Sequence, residues 1–229
     1  MTTTHSLAAE HLTLGYGDRT VIESLDLAVP PGEITAIVGA NACGKSTLLR
    51  SMSRLLAPRA GRVVLDGEEV HRLPAKELAR TLGLLPQSPV APRASPSPTS
   101  SAAGATRTRG LLPLERGGRR RRGGGPGGHA HHAARRPLRG RAVRGQRQRV
   151  WIAMALAQQT DLLLLDEPTT FLDASHQIEV LDLLTDLNQA RGTTIVMVLH
   201  DLNLAARYAD HLIALAAGRL HAAGPRPRC

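Results

Sequence analysis

Aromatic side chains are nearly absent: the 229 residues include one Trp, two Tyr and one Phe. That argues against single-strand and RNA binders that stack bases on aromatic platforms. Cysteine is equally scarce. Cys43 and Cys229 cannot make a disulfide framework, and zinc-ligand spacing is missing. No apolar run approaches the ~18 residues that a bilayer-spanning helix needs. The opening MTTTHSLAAEHLTL lacks the basic-then-apolar order of a signal peptide. These absences predict a soluble protein of a reducing compartment. Hydrophobic residues, at 42%, are plentiful enough for the core of one large domain or two small ones.

The net charge of +10 ordinarily suggests nucleic acid or an anionic membrane. Its distribution argues otherwise. Residues 91–145 hold 13 Arg, no Lys and one acid, Glu115, which puts +12 there and leaves −2 for the rest. The same segment has 11 Gly and 6 Pro, no aromatic, no Ile and a single Val, Val143. A run such as Arg116–Gly128 (RGGRRRRGGGPGG) can neither bury a core nor sustain a helix. On either side the texture is that of alternating strands and helices.

Three short apolar runs carry the chemistry. Glu33–Val38 is β-branched and leads into Gly39–Thr47 (GANACGKST), followed by the amphipathic LLRSMSRLL. This is the strand, glycine-bounded loop and helix that a phosphate-binding G-x-x-x-x-G-K-[ST] motif requires. Gly39 and Gly44 let backbone N–H groups face a phosphate chain, Lys45 supplies a point charge, and Ser46 offers a hydroxyl to Mg²⁺. The helix N-terminus behind them favours anions. Leu162–Leu165 reads as a buried parallel strand ending in Asp166-Glu167-Pro168. Alone, that run is equally a strand with a polar turn. With a phosphate loop upstream, Asp166 becomes a carboxylate for Mg²⁺ and Glu167 a candidate base toward water. Thr194–Leu199 is a third such strand, ending in His200-Asp201 at the edge where ligands of open α/β sheets sit.

The order and spacing of these elements resemble the nucleotide-binding subunit of ABC transporters over about residues 7–90 and 145–224. Within that superfamily, LLLLDEPTTFLDASHQIEVLDLL and VLHDLNLAARYADHLIAL are most similar to importers of iron–siderophore complexes, with cobalamin and haem importers next. The resemblance implies an α/β fold, a P-loop core sheet with an antiparallel β region near the N-terminus. It implies that Tyr16 stacks on adenine, and that Gly39, Asn41, Gly44, Lys45, Ser46 and Thr47 wrap the phosphates of ATP. Ser46, Gln87 and Asp166 would hold Mg²⁺. Gln87 would also sense the γ-phosphate and couple to the membrane partner. Glu167 would be the general base, His200 would contact the γ-phosphate and attacking water, and Asp173 would lie across a dimer interface. Ala42 stands where the family usually has Gly, which strains the loop if that position needs φ > 0. The implied partners are a second ATPase subunit in a head-to-tail dimer, integral membrane permease subunits and, indirectly, an extracytoplasmic substrate-binding protein. No specific nucleic acid is expected, and the implied location is the cytoplasmic face of the cell membrane.

The family's L-S-G-G-Q signature survives only in its second half, Gly145 and Gln146, which remain candidate nucleotide contacts. Ala142-Val143-Arg144 replaces the rest, so a hydroxyl is lost and a bulky cation stands where backbone should approach phosphate. The genetic code offers a reason. The string C-GAG-CTG-TCC-GG encodes Glu-Leu-Ser-Gly, and regrouped as CGA-GCT-GTC-CGG it encodes Arg141–Arg144. Ala94–Thr108, regrouped the opposite way, becomes compatible with the family's opening of its helical subdomain. Residues from about 93 to 144 thus read as out-of-frame translation. The chain divides into 1–90 and 145–229, two parts of the ATPase core, and 91–144, where the helical subdomain is expected to be disrupted or disordered. The end, Arg/Pro-rich after Gly224, reads as a further shift. Two other accounts remain: a nucleic-acid-associated ATPase using the Arg/Gly segment, and an inactive product of a decayed gene.

Overall fold

In the computed structural model, residues 5–86 and 160–226 are described, and they belong to one compact unit. The sequence claims about 91–144, and the residues Gln87, Gly145 and Gln146, lie outside the described residues.

The three apolar runs form the middle of a six-stranded sheet, with order β10-β9-β3-β8-β7-β6. β3 (Ile34–Gly39), β7 (Leu162–Leu165) and β8 (Thr194–Val198) are parallel neighbours or next neighbours, and every residue of β7 and β8 is buried. Burial on both faces is what a continuous apolar run achieves and an alternating one cannot. β6 (Leu82–Leu85) extends the parallel set beyond β7, and β9 (His211–Ala216) extends it on the far side of β3. β10 (Arg219–Pro225) closes that side as an antiparallel edge.

A second, antiparallel sheet has order β2-β1-β4-β5. β1 (Leu7–Tyr16) and β2 (Arg19–Val29) are long, with side chains alternating between core and solvent, and register shifts break their pairing. β4 (Ala60–Leu65) pairs with β1 and with the short β5 (Glu68–Glu69). This is the antiparallel region that the family resemblance implies.

Two hydrophobic cores follow from this layering. One collects Leu12, Leu14, Ile22 and Val63 of the antiparallel sheet with Leu48, Leu49 and Met52 of α1 (Lys45–Met52) and one face of the parallel sheet. The other packs the opposite face against Val180, Leu181 and Leu184 of α3 (Ala174–Arg191) and Ala205 and Tyr208 of α4 (Leu202–Tyr208). α2 (Ala75–Thr81) leads into β6. α1 is shorter than the run LLRSMSRLL suggests: it ends at Met52, and Arg54 turns the chain with φ 62. Among the described residues, no helix is long and apolar enough to cross a membrane.

Candidate nucleotide site

The parallel strands β3, β7 and β8 end at the same edge of the sheet, and the residues just beyond them make the site. β3 runs into the loop at Gly39, whose φ is 146; a Cβ there would meet the Leu215 carbonyl oxygen of β9 at 2.2 Å, so only Gly lets the strand pass its neighbour. The loop then turns through Ala42 at φ 60 and Gly44 at φ 108 before α1 starts. Ala42 therefore occupies the left-handed backbone that the sequence comparison flagged as a hazard for a residue with a Cβ.

Lys45 is 5% exposed and its ammonium is satisfied by the loop itself. Nζ donates to the carbonyls of Gly39 at 2.9 Å and Ala40 at 2.8 Å, with Cys43 Sγ at 3.9 Å. The loop is thus folded around the cation that an incoming phosphate chain would take over. One residue on, Ser46 Oγ donates to Asp166 Oδ1 at 2.9 Å, joining the start of α1 to the end of β7. Asp166 is buried, and its N–H continues the β6–β7 ladder by donating to Leu85 O at 2.9 Å. Burial pushes the Asp166 carboxyl above its ordinary value; the Ser46 hydroxyl opposes this and the neighbouring Glu167 charge adds to it.

Glu167 is held from two sides. His200 Nε2, just past β8, lies 2.6 Å from Oε1, and Thr170 Oγ1 donates to Oε2 at 2.9 Å. Its backbone sits at φ 54, a strained conformation for a residue with a long side chain.

Lys45, Ser46, Glu167 and His200 open into one cleft of about 620 Å³, lined also by Tyr16, Asn41, Ala42, Gly44 and Thr47, with Arg19 and Val21 beside them; Asp166 lies buried behind Ser46. The sequence reading named most of this wall and missed Arg19 and Val21, and it missed Thr170, which holds Glu167 from outside the wall. A periodicity argument cannot find Arg19: it lies three residues beyond Tyr16 across a hairpin turn. Asp173 does not reach the cleft. Exposed, it caps α3, accepting from the His176 N–H at 3.0 Å, from Ser175 Oγ at 2.9 Å and from the His176 ring. The donor set fits a divalent cation with phosphate oxygens: an ionisable carboxylate and a hydroxyl, already in contact, at a helix N-terminus.

The family profile described as ABC transporter matches residues 22–170. The chain is 47% identical to the probable siderophore transport system ATP-binding protein YusV of Bacillus subtilis, over 96% of this chain and 80% of that protein. It is 48% identical to the ferric enterobactin transport ATP-binding protein FepC of Escherichia coli, over 95% of this chain and 81% of that protein. Among solved structures it resembles the dimeric structure of a bacterial ABC transporter cassette, with TM-score 0.69, 22% identity, and coverage of 97% of this chain and 100% of that one. This last likeness bears on the fold.

Proposed function

Since the chain belongs to the ABC transporter family of ATP-binding proteins, we propose that it is the ATPase subunit of an importer of iron–siderophore complexes, with hydrolysis slowed by the loss of its signature motif. The observation that carries the ATPase reading is the convergence of Lys45, the Ser46–Asp166 contact and the Glu167–His200 pair in one cleft. The siderophore reading is supported by relatives named for siderophore and ferric enterobactin transport at 47% and 48% identity.

In this reading the backbone N–H groups of residues 40–46 and Lys45 cradle the β- and γ-phosphates of ATP, and Tyr16 stacks on its adenine. Ser46 and Asp166, with Gln87, would hold Mg²⁺, which spreads the phosphate charge during transfer. Glu167 accepts the proton of the attacking water, on a carboxylate that Thr170 and His200 orient. His200 faces the γ-phosphate. Two copies close head-to-tail, with Asp173 at their interface and Gly145 and Gln146 facing the partner's nucleotide. Closure acts on permease subunits at the cytoplasmic face of the membrane, fed from outside by a substrate-binding protein.

Ala142-Val143-Arg144 stands where closure needs a hydroxyl and unencumbered backbone. Loss of one preorganised donor at such a site costs about 10²–10³ in rate. An out-of-frame origin for the preceding stretch accounts for the replacement. The test measures binding and turnover together. Mg·ATP should bind in calorimetry and fail to bind to Lys45→Met, while turnover stays at least about a hundredfold below that of the relatives. Absence of ATP binding refutes the ATPase reading. Turnover equal to the relatives refutes only the impairment. Uptake of radiolabelled ferric siderophore into vesicles carrying the permease tests the substrate.

A further inference from the structure

The turn that carries Tyr16 is braced from another part of the chain. β1 ends at Tyr16 and β2 starts at Arg19, so Gly17 and Asp18 form a two-residue hairpin turn, with Gly17 at φ 49. Such a tip has few packing contacts of its own, and Tyr16 is 46% exposed. Arg59, the residue before β4, reaches across to it. Its backbone N–H donates to Thr13 O at 2.9 Å, Nη1 donates to Thr20 Oγ1 at 3.2 Å, and Nη2 donates to the Gly17 carbonyl. One guanidinium therefore ties the turn to the strand that follows it. The group passes over Gly15, where a Cβ would meet the Arg19 carbonyl oxygen at 2.2 Å and Arg59 Cζ at 2.7 Å; the backbone contact alone requires glycine there, and the guanidinium lies in the space it leaves. From the opposite side, Arg50 of α1 donates from Nη1 to the Tyr16 hydroxyl at 3.4 Å.

We propose that Arg59 is a positioning residue for base recognition, holding the Gly15–Thr20 turn so that the Tyr16 ring stands ready to stack on adenine before nucleotide arrives. The proposal rests on the reading of Tyr16 as the adenine platform. Arg59 does not itself line the cleft. Its contribution is preorganisation: a platform already ordered loses less entropy when the base docks. The rigid, two-pronged donor is what the geometry uses, and an ammonium cannot span both acceptors.

The experiment compares ATP with inorganic tripolyphosphate, which has the phosphates and no base, by calorimetry on the full chain with Mg²⁺. The readout is the ratio of the two affinities. Charge near the phosphates moves both ligands together and leaves that ratio alone. Tyr16→Ala should lower the ratio by about tenfold or more, the value of a lost aromatic stack. Arg59→Met should lower it by about five- to tenfold through loss of charged hydrogen bonds, with tripolyphosphate binding kept within about twofold. Arg59→Lys should show most of the same loss. Equal weakening of both ligands in Arg59→Met, or full recovery in Arg59→Lys, overturns the brace by assigning the effect to charge or folding. A normal ratio in Arg59→Met beside a lowered one in Tyr16→Ala overturns the brace and leaves the platform standing. A normal ratio in Tyr16→Ala removes the platform, and the brace with it.

Discussion

Ala42→Gly should stabilise the nucleotide-free protein, against the usual expectation that glycine weakens a fold. Ala42 is held at φ 60, in the left-handed region. There a Cβ crowds the following carbonyl oxygen and costs about 1–2 kcal/mol relative to right-handed backbone. Glycine removes that cost but brings a more disordered unfolded chain, worth about 0.4–1 kcal/mol in the other direction. The Ala42 methyl is exposed on the cleft wall, so deleting it forfeits little apolar burial. The difference favours the variant by about 0.5–1 kcal/mol. With a urea dependence of about 2 kcal/mol per molar, the unfolding midpoint should rise by about 0.2–0.5 M. Ala42→Val provides the opposite control, since a β-branched side chain at positive φ is more strained, and its midpoint should fall. Affinity for ATP should stay within about twofold in Ala42→Gly if the loop keeps its conformation on binding. A midpoint that is unchanged or lower in Ala42→Gly would refute the argument that the loop stores strain at this residue.

Asp173→Ala removes the acceptor for the His176 N–H at the start of α3, which should cost about 1 kcal/mol and lower the thermal midpoint by about 2–4 °C, while Asp173→Asn keeps most of it. Tyr208 is buried and its hydroxyl donates to Asp182 Oδ1 at 2.8 Å; burial first, and that hydrogen bond second, push its ionisation above 10.0. The folded protein thus holds the phenol proton more tightly than the unfolded chain, so this contribution is complete below about pH 10 and is lost as pH rises toward the folded value. Denaturation titrations should show stability falling from about pH 10 upward in the parent and a flatter profile in Tyr208→Phe; the same slope in both would remove Tyr208 as the cause.

Much of the site was legible because its parts are local. The strands β3, β7 and β8 announce themselves as apolar runs, and each is followed at once by the residues that matter: the phosphate loop, Asp166-Glu167 and His200. Open α/β topology then brings those ends together without further instruction. The parts that escaped the sequence are long-range and side-chain specific. No pattern links Arg59 to Gly17, or Thr170 to a particular oxygen of Glu167, because both depend on rotamers chosen after the backbone is in place. The early end of α1 escaped for a related reason. LLRSMSRLL keeps its helical periodicity through Leu56, yet the backbone at Arg54 turns left-handed. Asp173 has a visible role as a helix cap, and only a second copy of the chain can supply the interface that the family resemblance assigns to it.

The pairing of β6 with β7 has a consequence for how the gene can change. Leu82–Leu85 and Leu162–Leu165 lie side by side in matched register, with Asp166 N–H donating to Leu85 O, although residues 86–161 separate them in the chain. Closing a connection of that length costs little more than closing one half as long, about 0.6 kcal/mol. What selects the pairing is the leucines at its two ends. Selection that keeps those two leucine runs therefore keeps Asp166 and Glu167 at the sheet edge, whereas Gln87, Gly145 and Gln146, which the proposed function also assigns to nucleotide, have to be kept on their own account.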